Sequence, residues 1–503
     1  MKTIMIVLVV FAWINVKGQG KNWQNLDLQD DSVFGIGINK VYADLLKNKR
    51  AKIVIVAVID SGIDSSHSDL KLALWNNERE RNNKQDDDAN GYLDDVHGWN
   101  FIGSQLGNVH YDNLELTRII RKDKRFYDSL SYAAVPEEYL QSYRCYRKLR
   151  NIYDDKVQRA KSAVGQLEGF KHALQKIVEK INKSSPTLHD FSLYQPANEN
   201  EERVRSVMMN ALLNQDFTDF ETNAIDKVYS QFQNQLKYAL NLNYDPRSIV
   251  KDNYNNSDER AYGNNDIQGP DALHGTHVGG IIAATRNNGI GIDGIADNVK
   301  LMVIRAVPDG DERDKDIANA IRYAVDNGAR VINMSFGKPF SWNKKCVDNA
   351  VKYAMEKDVL IVHAAGNDGK NLDSNDNYPC RNYADISGKA DAWIEVGASD
   401  QSGNAANFSN YGKETVDVFA PGVHIYSCVP GNKYEFEDGT SMAAPVVTGL
   451  AALLRGYYPN LTAIQVKDII MKSVLKRDIF EKKCLSGGIV NGYGAFKLAI
   501  SYK

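Results

Sequence analysis

The stretch Ile53-Val54-Ile55-Val56-Ala57-Val58-Ile59-Asp60-Ser61-Gly62 runs through seven consecutive apolar residues and closes on an acid, a serine and a glycine. An apolar run that does not alternate with polar residues reads as a strand buried on both faces, the mark of a parallel sheet covered by helices. It is too short for a buried helix, and Asp-Ser-Gly is turn chemistry. A strand over Ile53–Ile59 leaves Asp60 at the carboxyl end, where open α/β sheets gather their functional residues.

Similar runs recur at Leu301–Ile304, Val331–Met334, Val359–Val362, Ile394–Val396 and Val416–Phe419, with helical patterns between them at Asp316–Asp326, Lys344–Glu356 and Met442–Leu454. This alternation predicts an α/β fold with a doubly wound, mostly parallel sheet. Asn367, like Asp60, falls just beyond a strand end. From about Gly107 to Asn255 the alternation stops. That block is rich in Lys, Arg, Glu, Tyr and Gln, with apolar residues at helical spacing such as Ala173, Ile177 and Ile181. It reads as a mainly α-helical insertion, residues 107–255, between two parts of an α/β domain, 21–106 and 256–503, with Asn-rich sequence around Asn253–Asn265 at its border. Within it, Ala224–Leu242 reads as a helix packed on its neighbours, a partner-binding surface being the other reading.

The whole chain has 503 residues, 43% hydrophobic and 25% charged, which suits a large globular core. A net charge of −3 gives no basis for a nucleic-acid or anionic-membrane partner. Residues 1–20 combine Lys2, an apolar run from Ile4 to Ile14 and Gly18-Gln19-Gly20, the layout of a secretory signal peptide cleaved after Gly18 or Gly20. The run is too short to span a bilayer, so a secreted or periplasmic location with no membrane span is expected. The first cysteine is Cys145, which argues against a lipid-modified N-terminus. Cys145, Cys346, Cys380, Cys428 and Cys484 allow two disulfides with one thiol over, but wide spacing favours small buried residues or free thiols and no thiolate metal site.

Three segments hold a hydroxyl, an imidazole and a carboxylate, the groups that nucleophilic acyl transfer needs: Val58 to Gly62, His274-Gly275-Thr276-His277-Val278-Gly279-Gly280, and Gly439-Thr440-Ser441-Met442-Ala443-Ala444-Pro445. Each has a bland reading alone, as a turn, a loop and a helix cap. Together, and with Ala364-Ala365-Gly366-Asn367-Asp368, they closely resemble the subtilisin-like serine proteases, whose triad runs Asp, His, Ser along the chain. The resemblance covers about Trp23–Phe101 and Asp266–Lys497, where Gly492-Tyr493-Gly494-Ala495-Phe496 resembles the close of the catalytic domain.

The resemblance implies a serine endopeptidase acting on protein or peptide substrates, with no cofactor in catalysis. Ser441 would be the nucleophile, His274 the general base and then acid, Asp60 the orienting carboxylate and Asn367 the oxyanion donor beside the Ser441 N–H. Substrate would lie as an extended strand along Ser335-Phe336-Gly337 and the stretch before Asn367, Ala365 and Gly366, with broad specificity. His277 is read as a structural histidine, and Gly275, Gly279 and Gly280 as close helix packing. Two departures stand out. The insertion makes the interval from Asp60 to His274 214 residues, and suggests a lid, an exosite, a partner-docking arm or a passive decoration. Only about 30 residues separate the leader from the first strand, short for a folding prosegment.

A second constellation runs from Asp86 to Asp95. Counted as a calcium loop, Asp86, Asp88 and Asn90 fall at the first three side-chain ligand positions, Gly91 at the turn, the Tyr92 carbonyl next and Asp94 after it. His97 stands where a bidentate Glu belongs, so another acid such as Asp95 would have to complete the shell. The expectation is a structural calcium, against a plain solvated acidic turn. Two rival functions stay open: a catalytically silent binding protein on the same scaffold, and a dedicated processing protease or peptide ligase that passes the acyl group to an amine.

Overall fold

The computed structural model describes residues 20–385 and 388–502; the expected leader lies outside them, apart from Gly20. The chain divides into two compact units, Leu116–Asp245 and the rest of the described residues.

The larger unit is built on a nine-stranded sheet. In chain order its strands are β1 (Val54–Asp60), β2 (Gly98–Asn100), β3 (Val299–Arg305), β4 (Val331–Met334), β5 (Leu360–Ala364), β6 (Trp393–Ser399) and β7 (Val418–Pro421), then, beyond a separate hairpin of β8 (Ile425–Val429) and β9 (Lys433–Glu437), β10 (Leu475–Lys476) and β11 (Gly488–Ile489). Across the sheet the order is β10-β11-β7-β6-β5-β4-β1-β3-β2, all parallel except β10 against β11. The helices of this unit used below are α1 (Leu273–Ala283), α2 (Asp314–Asp326), α3 (Lys344–Glu356) and α4 (Thr440–Tyr457).

Alternate residues of β1 show why its sequence is apolar throughout. Val54, Val56 and Val58 enter one core with Val278 and Ile281 of α1 and Val447 and Leu450 of α4. Ala57 and Ile59 enter the other with Ile317 and Ile321 of α2 and Val347 and Val351 of α3. Both faces are covered, which is what a doubly wound sheet requires. The fold class read from the sequence is the one observed.

The smaller unit is helical. A 42-residue helix, Leu140–Ile181, about 60 Å long at 1.5 Å per residue, is its spine. Asn182 closes it in the left-handed conformation, a Thr187–Asp190 capping box starts the next helix, and Asn198 caps Glu199–Ala211. Leu174, Ile177, Phe191, Met208, Phe217 and Phe220 form its own core. The stretch read as one helix from Ala224 to Leu242 is helical only as far as Ala239 and alternates between π and α geometry, with π turns at Phe220–Asp226 and Gln235–Ala239.

The chain after Asp245 belongs with the larger unit for an electrostatic reason. Arg247 is buried there between Asp252, at 2.5 Å, and Asp316, at 2.7 Å, and a buried guanidinium requires such partners. All five cysteines are free thiols, Cys428 and Cys484 buried and Cys145 exposed. Among the described residues no helix is long and apolar enough to cross a membrane.

Candidate active site

Asp60 ends β1, with its carboxylate 2% exposed. Its Oδ1 accepts the Ser61 backbone N–H at 2.7 Å and lies 2.8 Å from His274 Nδ1. A proton held on Nδ1 by that carboxylate leaves Nε2 as the basic nitrogen. The imidazole is 39% exposed, so it is open to a reactant on its far side. Burial opposes its protonation, but the charge and hydrogen bond of Asp60, helped by Glu437 and Asp271, outweigh that and raise its pKa above the ordinary value.

The contact depends on two glycines. Gly62 has φ +127°, a conformation that side chains disfavour, and a Cβ at Gly275 would lie 2.2 Å from the Gly62 carbonyl oxygen. Without side chains there, α1 seats its first turn directly on the end of β1. Three residues along the helix, His277 is fully buried, its Nε2 3.1 Å from the Ile425 carbonyl and 3.2 Å from that of Glu435. Burial pushes its pKa down to about 4, so it is a neutral tie to the β8–β9 hairpin.

Ser441 is the second residue of α4, which packs on α1. Its N–H lies in the first turn, where helices have no internal acceptors. Its carbonyl lacks the usual helical donor because Pro445, four residues on, has no N–H. The Ser335 hydroxyl fills that role at 2.9 Å, and is itself held by Asn333 at 3.0 Å, which accepts from Thr448 at 2.8 Å. The Ser441 hydroxyl donates to the Ser335 carbonyl at 3.0 Å. Among the described residues no hydrogen bond joins it to His274. Nucleophile–base bonds are often loose before substrate arrives, so the missing bond is compatible with such a pair.

Asn367 sits past the end of β5. Its Oδ1 accepts both the Thr440 N–H and the Thr440 hydroxyl, each at 2.9 Å. A backbone N–H can only donate, so the amide orientation is fixed and its NH2 group points away from Thr440. A Cβ on Gly439 would lie 3.5 Å from both Asn367 Nδ2 and Ser441 N. Met442 Sδ lies 3.4 Å from the same point, so glycine leaves room there beside both nitrogens.

The expected substrate edges follow the ends of β4 and β5. The N–H groups of Ala365 and Gly366 are both occupied, by the Val396 carbonyl and the Thr440 hydroxyl, and Asn410 donates to both their carbonyls. In this structure neither of these N–H groups is free for an incoming strand. Ser335, Phe336 and Gly337 continue β4 beyond its ladder, with Phe336 buried edge-on to His363 and Gly337 close against Asn377.

In the acidic loop the structure gathers Glu80, Asp86 and Asp88, one carboxylate oxygen from each lying within 4.8 Å of the others. Glu80 is 5% exposed and its Oε2 is buried without a hydrogen-bond partner. Asp94 is not part of this group, because its carboxylate caps the Asn83 and Lys84 N–H groups at 2.9 and 3.0 Å. Asp95 is held by Tyr323 and Asn77, Asn90 by Tyr92 N–H, and the Tyr92 ring packs against Trp99. Motif counting misses Glu80 because it precedes the loop, and misses Thr440 because a Thr at a helix start reads as a cap.

A parallel sheet with aspartate, histidine and serine at the ends of its elements matches the arrangement of the serine-type endopeptidases. The chain belongs to the subtilase family, whose model matches residues 51–495. It is 47% identical over 182 residues to the thermophilic serine proteinase of Bacillus sp. (strain AK1), covering 36% of this chain and 42% of that protein. Subtilisin DY of Bacillus licheniformis is 41% identical over 197 residues, 39% of this chain and 68% of the relative. For subtilisin BL of Lederbergia lenta the figures are 36% over 223 residues, 44% and 77%.

Proposed function

We propose that this chain is an exported endopeptidase that cleaves proteins through an acyl-enzyme on Ser441. The observation that carries the reading is the 2.8 Å contact between His274 Nδ1 and the buried Asp60 carboxylate. Rotation of the Ser441 hydroxyl from the Ser335 carbonyl toward Nε2 lets His274 take its proton as the oxygen attacks the scissile carbonyl. The imidazolium so formed is stabilised by Asp60 and then protonates the leaving amine. Negative charge on the former carbonyl oxygen develops where Asn367 Nδ2 and Ser441 N converge. Water repeats the sequence to release the acyl group.

In this reading the leader directs secretion, and a calcium ion held by Glu80, Asp86 and Asp88 braces the loop ahead of β2 without joining the reaction. A hard cation satisfies the orphaned Glu80 oxygen and offsets three converging negative charges. The test of the catalytic reading is labelling of the mature protein by a fluorophosphonate, beside Ser441→Ala, followed by casein digestion. Labelling and digestion that both disappear in the variant support it. A folded wild type that neither labels nor digests casein overturns it in favour of a silent binding protein.

A further inference from the structure

The helical unit holds a cavity of about 380 Å³. Its floor is apolar and part of that unit's core: Leu174, Phe217 and Ile225 are 3%, 4% and 1% exposed. Its rim carries Glu168 and Glu221, both exposed. The rim lysine, Lys171, is already paired with Asp226 at 2.5 Å and lies over the Tyr229 ring at 5.0 Å. Tyr229 donates to Glu168 at 2.8 Å and is held by Gln233 at 2.6 Å, so the Glu168 carboxylate is fixed at the rim. Residues of one wall belong to the π turn Phe220–Asp226, an uncommon geometry that recurs at functional sites.

Two rim carboxylates repel an anion, and a purely apolar occupant would strip water from them without replacing its hydrogen bonds. The complement is an alkyl chain ending in a cation. We propose that this cavity is a docking exosite for a lysine or arginine side chain of the protein substrate. The stem lies on Leu174, Phe217 and Ile225 and the charged head on Glu168 and Glu221. Resting on the endopeptidase reading, the site recruits basic polypeptides and takes no part in bond cleavage.

The test separates binding from turnover. Binding of fluorescein-labelled hexalysine to the Ser441→Ala protein is followed by anisotropy, beside E168Q/E221Q and the control E137Q/E138Q, which removes the same charge from exposed positions elsewhere on the unit. The cavity variant is expected to weaken binding roughly fivefold to tenfold, with the control unchanged. With Ser441 intact, E168Q/E221Q raises KM for a lysine-rich protein and leaves hydrolysis of a short uncharged peptide unaltered. Equal binding by all three proteins, or equal loss in both double variants, overturns the exosite. Absence of peptide hydrolysis in the wild type would instead strike the catalytic reading, while the anisotropy still reports on the cavity.

Discussion

Thr440 holds the Asn367 side-chain oxygen with two hydrogen bonds, one from its N–H and one from its hydroxyl, both 2.9 Å long. The hydroxyl also accepts the Gly366 N–H at 3.0 Å, so a fully buried side chain ties the segment carrying Asn367 to the helix carrying Ser441. Thr440→Val keeps shape and backbone bond but removes the hydroxyl. One donor to Asn367 is lost and the Gly366 N–H is orphaned, at a cost of roughly 1–2 kcal/mol in holding the amide. The expected result is a kcat about tenfold lower with KM little changed. Asn367→Leu, which removes the donor itself, is expected to lower kcat by about 10²–10³, a magnitude taken from subtilisin itself. Steady-state kinetics on one peptide substrate compares the two, and a KM effect in Thr440→Val would refute a role confined to the transition state.

The pH profile follows from the charges around His274. Catalysis needs neutral imidazole, and the protonated form is favoured because Asp60, with Glu437 and Asp271, outweighs burial. The acidic limb of kcat/KM is therefore expected above the pH of ordinary imidazole titration. Removing a helping carboxylate, in Glu437→Gln or Asp271→Asn, weakens the protonated form and should move that limb to lower pH. Salt should move the wild-type limb the same way, by screening the same charges. A limb unmoved in both variants at low ionic strength would show that Asp60 alone sets the titration.

Most of the sheet was legible because strands buried on both faces are apolar without interruption; Val331–Met334 is read residue for residue. The limits fail where polar contacts overrule hydrophobicity. Val416 and Asp417 read as strand, but Asp417 is drawn into a buried pair with Arg381 at 2.6 Å and the ladder starts at Val418. The hairpin β8–β9 escapes the reading because it pairs only with itself and carries a mixed pattern, Lys433-Tyr434-Glu435-Phe436-Glu437, on one strand. At the site, motifs mark Asp60, His274, Asn367 and Ser441 but not the groups that hold them in place. Nothing in one sequence says that Pro445 leaves the Ser441 carbonyl to Ser335, because that contact bridges 106 residues.

The acidic loop makes a prediction about metal removal. If calcium is held by Glu80, Asp86 and Asp88, it binds the folded chain and not the unfolded one, and at one hundred times its Kd it adds about 2.7 kcal/mol of stability. A chelator should lower the calorimetric Tm, added calcium should restore it, and magnesium should substitute poorly because it demands a tighter octahedral shell. Glu80→Gln removes one carboxylate and should shrink the chelator effect, whereas Asp94→Asn should leave the effect in place while lowering Tm in both conditions. A transition indifferent to chelator returns the loop to a solvated acidic turn.

Gly275 is where fold and chemistry meet most tightly. A Cβ there would fall 2.2 Å from the Gly62 carbonyl oxygen and 3.2 Å from Asp60 Oδ1. The first contact is with backbone on a chain reversal at positive φ, which cannot give way as a side-chain tip would. Gly275→Ala must therefore lift the start of α1 from the end of β1, carrying His274 with it. A displacement of about 1 Å at a reacting group can cost about 10²-fold, so kcat/KM should fall by that order. Ala is the better helix former and Gly279 and Gly280 are untouched, so the helix itself should persist in circular dichroism. Gly62→Ala should also cost activity, by a different clash: its Cβ would fall 2.2 Å from the Gln268 carbonyl oxygen. Near-normal kinetics in Gly275→Ala would mean that His274 reaches its working position independently of this contact, and that Asp60 positions the ring by the hydrogen bond alone.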